Sequence, residues 1–132
     1  FLKVATAFED TGVRAYKGQA GFLKGNQVVL TAALQIHAVE ARHASHLRQM
    51  AAGAGLTIKP WITYTANGND TGVAPADAVY AGEQNTTQAT VPITNIAAGV
   101  TQAAAAESFD EPLATADVVT IANLFLKPAF RL

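Results

Sequence analysis

The chain has 132 residues, a net charge of −1, no cysteine, an apolar half and only 14% charged residues. That length suits one domain, and nine basic against ten acidic residues exclude a general nucleic-acid binder, which needs a concentrated basic surface. The lack of cysteine excludes disulfide scaffolds, thiolate zinc sites and thiol catalysis, and with no run of 18 apolar residues no transmembrane helix is expected.

Alanine supplies 28 residues, so the apolar fraction overstates the available core volume. The chain opens at Phe1, inside an apolar-periodic segment and without an initiator Met. A processed chain or a piece of a longer one is the expectation.

Residues 1–23 read as a helix. At about 100° per residue, Leu2, Ala5, Gly12, Val13, Tyr16, Ala20 and Leu23 fall beside Glu9, while Lys3, Asp10, Arg14 and Lys17 fall on the far side. Glu9 thus stands in the apolar stripe, a costly place for a carboxylate without a cation or donor to meet it. Lys24-Gly25-Asn26-Gln27 breaks the pattern with two residues that tolerate the left-handed conformation. A second helix is predicted from about Val28 to Ala52, with Gly53 and Gly55 as stop signals. Its stripe holds Ala33, Ile36, Val39, Glu40, His43, Leu47, Met50 and Ala51. His37 and His46 lie at its margins, as surface or supporting residues. Arg14, Lys17, Lys24, Arg42 and Arg48 read as a solvated face.

A short loop makes the two helices antiparallel neighbours. Glu9 then lies about 22 Å from the turn, and Glu40 and His43 lie about 20 and 24 Å from it, at 1.5 Å per residue. Three inward polar side chains are expected at one level of the hairpin.

Beyond Gly53 the character changes. Residues 1–53 carry six basic and three acidic residues, for +3, and residues 54–132 carry three basic and seven acidic, for −4. Pro60 to Thr65 is β-branched and aromatic and predicts a strand; Asn67 to Gly72 predicts a turn. Val79-Tyr80 and Thr87 to Ile93 suggest further short strands, the last an edge because of Pro92. Residues 97–107 suggest a short alanine-rich helix. The tail, from Ser108, leads into a helix with Thr115 as N-cap and Asp117 in the first turn, ended before Pro128. The resulting division is 1–53 hairpin, 54–107 β-prone insertion or arm, and 108–132 C-terminal segment. Nothing resembles a phosphate loop or a Ser/His/Asp triad.

A Glu on one helix with Glu-x-x-His on its neighbour is half of the ligand set of dinuclear carboxylate bundles. The i, i+3 spacing puts both side chains on one face, and carboxylate oxygen with imidazole nitrogen suits iron or manganese. Phe8-Glu9-Asp10-Thr11-Gly12-Val13-Arg14-Ala15-Tyr16 and Val39-Glu40-Ala41-Arg42-His43-Ala44 resemble the third and fourth bundle helices of the ferritin-like domain family that includes desiccation-related proteins. Phe109-Asp110-Glu111-Pro112-Leu113 and the following helix resemble that family's C-terminal segment. The Trp61 and Tyr80-Ala81-Gly82-Glu83 region is similar to an insertion in bacterial, Bacteroidetes-like members.

The resemblance implies a mainly α, four-helix bundle to which this chain gives an antiparallel helix hairpin, a β-containing insertion and a short C-terminal helix. It implies a dinuclear iron or manganese centre with Glu9, Glu40 and His43 as ligands, and oxidoreductase chemistry: oxygen or peroxide handling, or ferroxidase-like Fe(II) oxidation. The other ligands must come from a missing N-terminal helix pair of the same protein or from a second copy of the chain in a homo-oligomer. Export to the periplasm or beyond is expected, as family members often carry export signals. Two other readings stay open. The three residues could form a buried hydrogen-bond cluster without metal. The bundle could instead be the scaffold of a structural or stress-protective protein whose insertion mediates assembly or surface binding, through edges that pair with another chain.

Overall fold

The structure, a computed structural model, describes residues 1–64 and 74–132. It is mainly helical. Helix α1 spans Leu2–Ala20 and tightens into a 3-10 turn at Gly21–Leu23. Helix α2 spans Gln27–Gly53. Its N-cap is Asn26, whose side-chain oxygen accepts from the Val29 N–H at 3.2 Å, satisfying one of the donors that every helix start leaves free. Gly55 takes a left-handed φ of +93° just past its end, as expected of a glycine stop. The α1–α2 hairpin is the largest packing unit of the chain.

The segment beyond Gly53 is mostly irregular. It contains a single turn of helix, α3 (Ala74–Asp77), a 3-10 turn at Ala78–Tyr80, a two-stranded antiparallel ladder of β1 (Thr87–Gln88) with β2 (Val91–Pro92), and the short helix α4 (Gln102–Ala106). Helix α5 (Thr115–Phe125) closes the chain, before a 3-10 turn at Pro128–Phe130.

Several expectations are corrected here. Residues 60–64 form no strand, because β-prone side chains need a partner strand and the described residues pair none with them; Thr65 and the predicted turn at Asn67 to Gly72 lie outside the described residues. Val79-Tyr80 is a 3-10 turn, buried on both residues. The strand expected over 87–93 is a hairpin of two-residue strands whose turn, Ala89-Thr90, has both φ angles positive, the pattern of a tight β-hairpin. Thr115 is not the cap of α5 but its first residue, after Ala114; its hydroxyl instead accepts from the Gln19 side-chain amide at 2.9 Å.

The core lies between α1 and the later segments. Ala7, Ala76, Val79, Tyr80, Leu113 and Ile121 form one buried apolar cluster, flanked by Ile62, Val118 and Phe125. Phe125 also packs on Phe8, ring centroids 4.8 Å apart, which holds α5 against α1. The tail crosses α1 at Gly18. A Cβ built there would stand 2.9 Å from the Leu113 carbonyl carbon and closer still to its oxygen. Only a residue without a side chain admits that crossing.

A glycine inside a helix costs about 1 kcal/mol relative to alanine, and overpacking against fixed atoms costs about 1–3 kcal/mol. Because the obstacle at Gly18 is backbone, the overpacking cost lies at the upper end and Gly18→Ala should lose up to about 2 kcal/mol net. The loss should appear as a lower urea midpoint with an unchanged m-value. A midpoint at or above that of the parent would show that the tail does not need this seat.

Candidate functional site

The open side of the hairpin carries Glu9, Glu40 and His43. His43 Nδ1 lies 3.3 Å from Glu9 Oε1, with His43 exposed and Glu9 about a quarter exposed. Glu40, one turn before His43 on α2, lays its carboxylate against the backbone of α1 at Gly12. A Cβ built on Gly12 would stand 2.6 Å from the Glu40 carboxyl carbon and 2.7 Å from Oε1. Glu40 Oε2 is sealed from solvent and has no hydrogen-bond partner. Burial pushes the Glu40 carboxyl up from its ordinary value and the Glu9 charge pushes it further, against the pull of His37 and His43. The hairpin therefore brings the three residues to one level.

His37, one turn before Glu40 on the side toward the turn, is half-buried, with Nδ1 2.9 Å from the Val13 carbonyl oxygen. A carbonyl only accepts, so Nδ1 carries a proton. Toward the turn the same face becomes an apolar groove of about 460 Å³ between the two helices, lined by Tyr16, Leu23, Val29, Ala33 and Ile36 among others. Ile36, Val39 and Met50 of α2 stay more than a third exposed.

The opposite side of α1 is not solvated, and this corrects the sequence reading. Asp10, Arg14 and Arg48 are all at least 95% buried. Arg48 grips the Asp10 carboxylate with both terminal nitrogens, at 3.0 Å and 2.6 Å, a fork that suits a carboxylate. Tyr80 donates its hydroxyl to Asp10 Oδ2 at 2.6 Å; burial, then the Asp10 charge, push the phenol well up, so it stays protonated. Arg14 is the largest fully buried side chain. Its Nε–H is shared between the Glu111 carbonyl and Glu83 Oε1, each at 2.7 Å, Nη2 donates to the Ala81 carbonyl at 2.8 Å, and Nη1 donates to the Val79 carbonyl. Glu83 Oε1 also accepts from the Glu111 N–H at 3.0 Å, and the Leu113 N–H donates to the Arg14 carbonyl at 3.1 Å. Lys17 donates to the Asp110 carbonyl. Of the residues expected on a solvated face, Lys24 and Arg42 are exposed. The helical wheel misses Asp10, Arg14, Arg48, Tyr80 and Glu83 because their burial comes from an irregular segment without periodicity. The one sequence signal is the i, i+4 pair Asp10 and Arg14.

Comparisons with known proteins bear on the open side. Residues 1–53 match the ferritin-like domain family. No curated protein and no solved structure matches the chain. The matched residues are the hairpin itself, so the ferritin-like part contains Glu9, Glu40 and His43, and the arm and tail lie outside it. Among the described residues, no three His, Asp or Glu side chains are grouped so as to hold a metal ion within the chain, and no helix is long and apolar enough to cross a membrane. The ferritin-like hairpin does fit half of a shared metal set. Its donors are hard carboxylate oxygens and imidazole nitrogens, one of those oxygens is buried without a partner, and glycine leaves the room that oxygen occupies.

Two expectations follow for the closed side. Arg14→Leu leaves Glu83 buried without its cation and strips hydrogen bonds from three carbonyls; it should destabilise the protein by about 3–5 kcal/mol. In the same variant the Leu113 amide should exchange much faster, and unchanged protection there would refute the role given to Arg14. Glu83 gives a pH signature. Burial raises its carboxyl from an ordinary 4.5 to about 7, with Arg14 opposing. Between those values the folded state holds a proton that the unfolded state has released, so this contribution is full below about pH 4.5 and is lost as the pH rises to about 7. The stability of the parent relative to Glu83→Gln should therefore fall between pH 5 and pH 7.5. A difference independent of pH would mean that Glu83 does not titrate in that window.

Proposed function

We propose that the ferritin-like hairpin supplies one half of a dinuclear iron or manganese centre, with Glu9, Glu40 and His43 as its ligands and a second helix pair supplying the rest. The observation that carries this reading is the Glu40 carboxylate: an oxygen sealed from water, without a donor, beside the Glu9–His43 pair. A buried carboxylate oxygen without a partner is expensive, and a cation on the open face removes that cost. The family match over residues 1–53 supports the same reading.

In this reading Glu9, Glu40 and His43 would hold the metal ions, with the Glu40 carboxylate lying across the hairpin against Gly12. His37, fixed through Nδ1 by the Val13 carbonyl, would stand beside the carboxylates as a supporting side chain. The apolar groove and the exposed Ile36 and Val39 would meet the partner helices and keep bulk water out, which strengthens every charge interaction inside. Bound iron or manganese ions supply oxygen or peroxide chemistry or the oxidation of Fe(II). The resemblance to the ferritin-like family is likewise the basis for proposing an exported, desiccation-related protein.

The alternative is a scaffold in which the hairpin holds no metal and the arm mediates assembly. The arm's Val79, Ala81 and Glu83 are already engaged on α1, which leaves the exposed Val91 ladder as its free edge. Metal analysis separates the two. Protein purified after growth with iron and manganese should carry one of them in stoichiometric amount, and Glu40→Ala should lose it. Metal-free protein from both media, with Glu40→Ala leaving the thermal midpoint unchanged, would overturn the metal reading.

A further inference from the structure

Gly12 lies in the interior of α1 with helical neighbours on both sides. Neither a turn nor a positive φ explains it, since its backbone is ordinary helix. Alanine is the better helix former at such a position. What the glycine provides is room. The Cβ of any other residue would stand less than 3 Å from all three atoms of the Glu40 carboxyl group. Gly21, by contrast, would place a Cβ in open space.

The seat also has a chemical character. A serine at position 12 would put a hydroxyl donor beside the carboxylate, and a bulkier residue would turn Glu40 out into solvent, where water would satisfy both oxygens. Glycine does neither. It lets the carboxylate lie flat on the helix backbone, with Oε2 sealed and unpartnered, at the level of the Glu9–His43 contact. We propose that Gly12 is the positioning residue for Glu40: the absent side chain is a built seat that fixes this carboxylate against α1, with one oxygen kept free for an electrophile. Its use by a metal ion rests on the function proposed above; the seating itself does not.

A double-mutant cycle on the full metal-free chain tests the seat, with Gly21→Ala as the control. If the seat holds Glu40, Gly12→Ala turns the unpartnered carboxylate out to water, and the urea midpoint rises by more in the parent than in the Glu40→Ala background, where only the helical gain remains. Equal midpoint shifts for Gly12→Ala in both backgrounds would overturn the proposal. Titration with Mn(II) then reads the consequence. In a parent that binds the ion, Gly12→Ala should weaken binding at least tenfold while Gly21→Ala leaves it unchanged; a Gly12→Ala variant with parental affinity would overturn the positioning role. A larger midpoint shift in the parent than in Glu40→Ala, with no Mn(II) bound by any variant, would keep the seat and sink the metal reading alone.

Discussion

The arrangement of this molecule depends on the burial of one guanidinium. Arg14 is taken out of water in the middle of α1, and burial lowers its pKa from the ordinary arginine value, against the charges of Glu83, Asp110, Glu111 and Asp10. A buried cation of this kind is tolerated only when its donors are matched by well-placed acceptors. The acceptors are the carbonyls of Val79, Ala81 and Glu111 and the carboxylate of Glu83. Two pieces of chain nearly thirty residues apart are thereby fixed to each other and to the helix. The apolar cluster of Ala7, Val79, Tyr80, Leu113 and Ile121 fills in around that contact, and Gly18 admits the strand of tail that completes it.

This closed side explains the charge division of the sequence. Part of the hairpin's excess of cations is turned inward, while Lys24 and Arg42 stay exposed. Arg14 meets Glu83, and Lys17 meets a carbonyl of the acidic tail. The acidic remainder is a cover held on a basic hairpin, and the closed side uses nearly every donor and acceptor it buries, Glu83 Oε2 excepted. The open side is the reverse. There a carboxylate oxygen is buried without a donor, and apolar side chains stand exposed beside it.

The parts legible in the sequence were those governed by period. Two helices, their turn at Asn26 and the shared level of Glu9, Glu40 and His43 follow from 3.6 residues per turn and 1.5 Å per residue. What escaped was everything set by single contacts. A helical wheel sorts residues by polarity, so Asp10, Arg14 and Arg48 fell on the outside, though hydrogen bonds to distant carbonyls bring them in. Trp61 to Tyr64 carries strand-forming side chains, yet β-propensity describes fitness for a pleated surface, and among the described residues no strand pairs with them. Val79-Tyr80 read as a strand for the same reason, while its real constraint is the Tyr80 hydroxyl reaching Asp10. Nothing in the helical period calls for glycine at 12 or 18; the Glu40 carboxylate against the first and the Leu113 backbone against the second are visible only in three dimensions.

The two sides of α1 are mechanically one object. Asp10 follows Glu9 directly, and it is clamped from two directions: by Arg48 of α2 through both oxygens, and by Tyr80 of the arm. A helix pinned at Asp10 and again at Arg14 cannot turn about its own axis without breaking buried charge-assisted hydrogen bonds. Its rotation sets the direction of the adjacent Glu9 and places Gly12, two residues beyond Asp10, beneath Glu40. The Asp10–Arg48 pair likewise fixes α2 against α1 between the level of His43 and the end of the hairpin. The closed network therefore preorganises the open one: the arm's hold on Asp10 and Arg14 bears on where Glu9, Glu40 and His43 stand.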